Sequence, residues 1–143
     1  MIMKKTAVIY WSGTGNTEAM AQAVLAGMQE AGADAALYTT AEVTPALFDD
    51  LTGVAFGCPA MGAEVLEEMD FQPMWDEAKG FLGGKNVALF GSYGWGDGEW
   101  MRTWEEDCKN SGLNLVCQSV TCCEAPDDDA LEACRKLGGE LAK

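Results

Sequence analysis

Five short apolar runs recur along this chain of 143 residues, each separated from the next by a stretch of helical period. The runs are Thr6–Trp11, Ala35–Tyr38, Gly53–Gly57, Asn86–Gly91 and Leu113–Cys117, the last open to resumption at Ser119–Cys122. They are rich in Val, Ala, Leu and Phe with little polar alternation, as strands buried on both faces of a parallel sheet are. Between them, Met20, Ala21, Val24, Leu25 and Met28 form one helical stripe that Gly32 ends. Phe71, Met74, Trp75, Ala78 and Leu82 form a second, with Asp70 as its N-cap. Met101, Trp104 and Cys108 form a third, ended near Gly112, and Leu131, Cys134, Leu137 and Leu141 a fourth. These spacings place apolar residues on one helix face. The last helix opens on Asp127, Asp128 and Asp129 and closes on Lys143, in line with its dipole. Thr44 to Asp50 reads as a short helix or turn.

Alternating strand and helix predict an α/β fold: one doubly wound, five-stranded parallel sheet with helices on both faces. No repeat, low-complexity tract or linker divides the sequence, so one domain is expected over 1–143. In such folds the ligand lies beyond the carboxyl ends of the strands. Ser12–Thr17, Cys58–Asp70 and Ser92–Glu99 leave strand ends there, and function is to be sought in them.

Charge narrows the partners. The formal net charge is −14 and histidine is absent. Nucleic acid is an unsuitable partner, because phosphate contacts need Lys and Arg. Between Lys5 and Lys79 there are twelve acidic residues and no basic one. That surface serves solubility or steers a basic partner. Six cysteines include no C-x-x-C pair, and with no histidine a mixed metal site is not expected; buried free thiols in a reducing compartment are. No run approaches the ~20 apolar residues of a membrane span. Lys4 and Lys5 precede a run too short for a signal peptide, and no small-residue cleavage site follows. A cytoplasmic protein with no membrane partner is the expectation.

The first strand leads into Ser12-Gly13-Thr14-Gly15-Asn16-Thr17, and a helix starts at once. Glycines let the backbone turn and present N–H groups, and the side chains add hydroxyls and an amide. A helix N-terminus favours an anion there. No Lys or Arg is near in sequence, so a phosphate would be held by neutral dipoles. The P-loop lysine is missing, and the dinucleotide fingerprint fails at Glu18, its third glycine position. A monophosphate cradle remains, against an ordinary capped turn.

Tyr10-Trp11-Ser12-Gly13-Thr14-Gly15-Asn16-Thr17 resembles the FMN-phosphate loop of flavodoxins. Gly57-Cys58-Pro59-Ala60-Met61-Gly62 after the third strand and Phe90-Gly91-Ser92-Tyr93-Gly94-Trp95-Gly96-Asp97-Gly98 after the fourth agree in order. Together they resemble the short-chain flavodoxins of anaerobic bacteria over the whole chain. That resemblance implies the strand order 2-1-3-4-5 and FMN as cofactor. It implies that Ser12, Gly13, Thr14, Gly15, Asn16 and Thr17 hold the phosphate. Pro59, Ala60, Met61, Gly62, Ala63 and Glu64 would border the flavin from one loop, and Ser92, Tyr93, Gly94, Trp95 and Gly96 from the other. Trp95 would stack on one face of the ring and Met61 cover the other. Glu64 would accept from flavin N3–H, and the Gly62–Ala63 peptide would turn its carbonyl toward N5 on one-electron reduction. Some relatives carry a hydroxyl where this chain has Pro59, which offers no donor.

The residues themselves point the same way. Trp95 stands among glycines that cannot pack a core, so its ring is presented to something flat or folds back on its own helix. Without histidine, or a nucleophile beside a base, the site is poorly equipped for acid–base chemistry, so a cofactor must supply the reaction. Glu64, Glu67, Glu68 and Asp70 in one loop, with Asp97 and Glu99 in another, disfavour an added electron. About 1.4 kcal/mol of such repulsion lowers a one-electron potential by ~60 mV. The expected function is that of a low-potential one-electron carrier, not an enzyme. Its partners would be redox proteins with a basic surface near their cofactor, met by a monomer. The alternatives are an FMN-dependent NAD(P)H reductase on the same fold and a non-redox module for another phosphate ligand.

Overall fold

The computed structural model describes residues 4–62, 64–94 and 96–143. Four strands run β1 (Lys5–Tyr10), β2 (Asp34–Thr39), β3 (Gly53–Gly57) and β4 (Asn86–Tyr93). Two shorter ones follow, β5 (Asn114–Leu115) and β6 (Val120–Cys123). The helices are α1 (Asn16–Glu30), α2 (Phe71–Ala78), α3 (Glu99–Asn110) and α4 (Asp128–Leu141). The sheet is parallel throughout, in the order β2-β1-β3-β4-β5, with β6 also paired to β4. This is the 2-1-3-4-5 order that the resemblance implies.

The last strand is in two pieces. Asn86 pairs with Asn114, but Phe90 pairs with Val120, so the chain gains two residues on β4 between the pieces. The extra length bows out at Cys117–Ser119, where the Ser119 hydroxyl donates to Glu105 Oε2 at 2.7 Å. The interruption suspected near Gln118 is therefore a bulge pinned to α3.

The near-continuous apolar strands bury residues on both faces. Ala7, Ile9, Val54, Phe56, Val87 and Leu89 face α2 and α3, while Val8, Ala55, Ala88 and Phe90 face α1 and α4. Aromatic rings fill the first layer: Trp75 meets Phe56 at 5.0 Å and Trp104 at 5.6 Å, both edge-to-face. The Trp104 Nε1–H is buried without a hydrogen-bond partner among the described residues. Phe71 and Trp75 pack edge-to-face with the Trp104 ring at 5.4 and 5.6 Å. On the other layer α1 and α4 touch backbone to backbone. A Cβ at Gly27 would collide with the Arg135 carbonyl, and one at Gly138 with that of Val24.

Helix ends agree with the sequence reading except at one cap. The Asp127 carboxylate accepts from Ala130 N–H at 2.8 Å, as expected for α4. Asp70 holds the N-cap position of α2 but makes no side-chain cap bond. Glu67, three residues earlier and buried, accepts from the N–H groups of Met69, Asp70 and Phe71, of which only Phe71 belongs to the helix. The second helix is also shorter than its stripe: after Ala78 the chain tightens into a 3-10 turn over Lys79–Phe81, which still delivers Leu82 to the core. Among the described residues no helix is long and apolar enough to cross a membrane.

Candidate functional site

The carboxyl ends of β1, β3 and β4 release three loops that backbone bonds stitch together. Trp11 N–H donates to the Gly57 carbonyl at 3.0 Å, Cys58 N–H to Phe90 at 3.2 Å and Ala60 N–H to Ser92 at 3.0 Å. The Trp100 indole N–H donates to the Cys58 carbonyl at 3.1 Å. The structure thus brings together the three segments that the sequence singled out, at the switch point between β1 and β3.

The first loop ends at Gly15, left-handed at φ 96°, where α1 begins. The opening N–H groups of a helix have no intrahelical acceptor. Gly15 and Glu18 N–H both donate to Ser12 Oγ, at 3.0 and 3.3 Å. Thr14 and Gly13 are exposed, Asn16 half-buried and Thr17 buried. The Thr17 hydroxyl lies 3.4 Å from that of Ser92, which is buried at the end of β4. That pair joins the cradle to the third loop. Glu18 turns to the outer side, where it accepts from the Tyr10 hydroxyl at 3.1 Å. Burial, then this bond to Glu18, raises the Tyr10 pKa and keeps the phenol neutral. A cavity of about 430 Å³ flanks the loop on the β2 side and reaches Thr39 and Thr40, polar neighbours that the sequence reading did not include.

The second loop is a tight hairpin. Met61 N–H donates to the Val65 carbonyl at 2.8 Å and Val65 N–H returns the bond at 3.0 Å. Gly62 and Glu64 both have positive φ, 48° and 57°, inside that turn. Pro59, Ala60 and Met61 are half-buried on the way into it. The Glu64 carboxylate accepts from Glu99 N–H at 3.0 Å and lies against the Gly96 backbone, so the second and third loops meet there. Tyr93 is half-buried and Gly94 exposed. Ala63 and Trp95 lie outside the described residues.

Further residues support the loops. Trp100 is 1% exposed and lies outside the stripe of Met101, Trp104 and Cys108 read from the sequence. Glu67 is 6% exposed. Burial alone would raise its pKa, but N–H groups of Phe71, Asp70 and Met69 hold it below the usual carboxylate range. The sequence reading counted it among the acidic residues of its loop, and nothing local marked its bonds to the backbone. Burial pushes the Cys58 thiol up to about 12, so the sulfur is a neutral acceptor for the Glu67 N–H at 3.4 Å. Glu124, left-handed at φ 59°, donates its N–H to the Tyr93 carbonyl at 2.7 Å and adds a fourth segment, after β6, to the same edge.

The donor set fits the phosphate of FMN. Hydroxyls and free helix N–H groups can donate to an anion, and the carboxylate nearest the loop, Glu18, is tied to Tyr10. A groove of about 570 Å³ between α2 and α3 lies on the helix layer, outside the cradle.

Known proteins agree with this geometry. A sequence model of the flavodoxin family matches residues 8–138. The flavodoxin of Clostridium beijerinckii is 42% identical over 138 residues, covering 94% of this chain and 97% of its own. The flavodoxin of Megasphaera elsdenii is 40% identical over 138 residues, covering 95% and 97%. The solution structure of two-electron reduced Megasphaera elsdenii flavodoxin superposes with a TM-score of 0.87 at 39% identity, over 96% of this chain and 98% of that one. The chain therefore belongs to the flavodoxin family, FMN-based electron-transfer proteins rather than enzymes, and stands close to its short-chain members.

Proposed function

We propose that this protein is a low-potential one-electron carrier, a single domain over 1–143 that works as a cytoplasmic monomer between redox proteins with basic surfaces. The observation that carries this reading is the meeting of three loops at the carboxyl edge of β1, β3 and β4, around a cradle that offers donors and no cation. Bound there, FMN supplies reversible one-electron redox chemistry that no side chain of this protein has.

The chain's own residues bind and orient. Ser12, Thr14, Asn16 and Thr17, with the backbone of Gly13 and Gly15, hold the phosphate by hydrogen bonds. Ser12 Oγ already caps the turn, so its hydroxyl hydrogen is free to point outward. Pro59 contributes shape but no donor. Ala60, Met61, Gly62, Ala63 and Glu64 form one wall of the ring site, and Ser92, Tyr93, Gly94, Trp95 and Gly96 the other. Glu64 has one oxygen on Glu99 N–H, which leaves the second to accept from a ring N–H.

Fewer acidic groups are free to depress the potential than the sequence suggests. Asp97 pairs with Arg102 at 3.0 Å. Glu64, Glu68, Asp70 and Glu99 remain as the source of the field, with Glu67, which three N–H groups hold ionised.

Titration of the apoprotein with FMN and with riboflavin tests the reading. FMN should bind 1:1 and much more tightly, and Thr14→Ala should narrow the gap. Stepwise reduction of the complex should show two well-separated one-electron potentials. Equal affinities would remove the phosphate assignment, and steady NADH oxidation by the pure complex would favour a reductase.

A further inference from the structure

We propose that Glu67 is a positioning residue for the flavin site, holding the Met61–Val65 hairpin in place through the start of α2. The inference rests on the FMN reading above. Glu67 Oε1 accepts from Asp70 N–H at 2.7 Å and Phe71 N–H at 2.8 Å, while Oε2 accepts from Met69 N–H at 2.8 Å. Its own N–H donates to Cys58 Sγ at 3.4 Å, and its carbonyl accepts from Gln72 N–H at 2.8 Å. One residue thus joins the end of β3 to the first turn of α2. Met61, Gly62 and Glu64 lie on the hairpin between these anchors. Only Leu66, itself buried, separates Val65 from Glu67. If the Glu67 carboxylate lets go, its backbone bonds to Cys58 and Gln72 stay, but the exit of the hairpin is no longer tied to residues 69–71 at the start of α2, while the phosphate loop keeps its own bonds.

The geometry also explains why a carboxylate is needed. Three N–H donors converge on one side chain, and a carboxylate accepts at both oxygens. Glutamine has one acceptor oxygen and would turn its NH₂ group toward a backbone N–H. No cation takes part, since all the described partners of the Glu67 side chain are backbone N–H groups. Neighbouring Glu68 is exposed, which makes it the matched control.

Glu67→Gln, Glu67→Asp and Glu68→Gln apoproteins would each be titrated with FMN and with riboflavin, well below their melting temperatures. Hydrogen exchange would be followed at Val65 N–H, which closes the hairpin. Losing a charge-assisted bond and leaving an N–H unpaired should weaken both flavins about tenfold in Glu67→Gln, by the same factor, since the phosphate cradle is untouched. Exchange at Val65 should speed up in parallel, and Glu68→Gln should match the parent in both measurements. Glu67→Asp keeps the charge but is too short to reach all three N–H groups, so it too should lose both flavins. The proposal is overturned if Glu67→Gln only melts earlier and binds as the parent does, or if it loses FMN alone. If Glu67→Gln fails to fold, Glu67→Asp with parental riboflavin affinity overturns it equally. A parent that binds neither flavin overturns the cofactor reading and this inference with it, and that failure is visible before any variant is compared.

Discussion

At the scale of single residues, the ring-side turn shows how backbone conformation restricts sequence. Gly62 has φ 48°, yet a Cβ built there meets nothing within 4 Å among the described residues. Any cost of a side chain at this position is therefore conformational rather than steric crowding. A left-handed backbone costs an ordinary L-residue roughly 1–2 kcal/mol, and Asn less because its side chain bonds locally. Glu64 already bears that cost at φ 57°, compensated by its bond to Glu99 N–H. Gly62→Val should lower apoprotein stability by about 1–2 kcal/mol in urea unfolding, and Gly62→Asn by clearly less. Equal losses from both would mean that φ does not govern this position. The strand-to-helix junction at Ser12–Thr17 was legible in the sequence because a buried apolar run, a glycine-bearing turn and a helical stripe follow one another there. Glu67 was not, because its partners are backbone N–H groups that any residues would provide, and only the fold directs the side chain toward them.

At the scale of elements, α1 and α4 approach so closely that neighbouring glycines in one helix should respond in opposite ways to the same substitution. Gly138 faces the Val24 carbonyl with no room for a Cβ, whereas a Cβ at Gly139 meets nothing within 4 Å. Gly138→Ala must push the helices apart, and overpacking of this kind costs ~1–3 kcal/mol. Gly139→Ala removes backbone entropy from the unfolded chain without a clash and should stabilise by roughly 0.5–1 kcal/mol. Thermal unfolding of the two variants gives shifts of opposite sign if the packing is as described; shifts of the same sign refute it. The strands and helices were legible because both periodicities are strong here. The bulge between β5 and β6 was legible only as a hesitation at Gln118, since pairing partners on β4 leave no mark in the local sequence. Asp70 does stand at the N-cap of α2, as the sequence suggests, but the Gln72 N–H is taken by the Glu67 carbonyl and Pro73 has none, so the Asp70 side chain makes no cap bond.

At the scale of the whole molecule, the question is whether a net charge of −14 only keeps the protein soluble or also directs it. The helices follow the strands and run back, so α1 begins at the carboxyl edge of the sheet and ends, at Glu30, on the opposite edge. Glu68 and Asp70 lie in the loop leaving β3, on the edge of the proposed flavin site, and both are exposed. Reversing either charge there, or reversing Glu30, changes the net charge by the same amount. Steering depends on where a charge lies as well as on the total, because the field of exposed groups fades beyond ~30 Å at 0.01 M salt and ~8 Å at 0.15 M. Glu68→Lys and Asp70→Lys should therefore slow electron transfer to a basic redox protein at low salt, together by about tenfold, within the range that steering supplies. Glu30→Lys should have a small effect at the same ionic strength. Asp97→Asn should also slow transfer, but by less than a charge reversal, because it uncovers the positive charge of Arg102 and so changes the local charge by one unit rather than two. Raising salt should bring the parent down toward the Glu68→Lys rate and leave that variant nearly flat. Stopped-flow traces across an ionic-strength series decide the matter. If Glu30→Lys slows transfer as much as Glu68→Lys, the rate follows total charge and the acidic loop has no directing role.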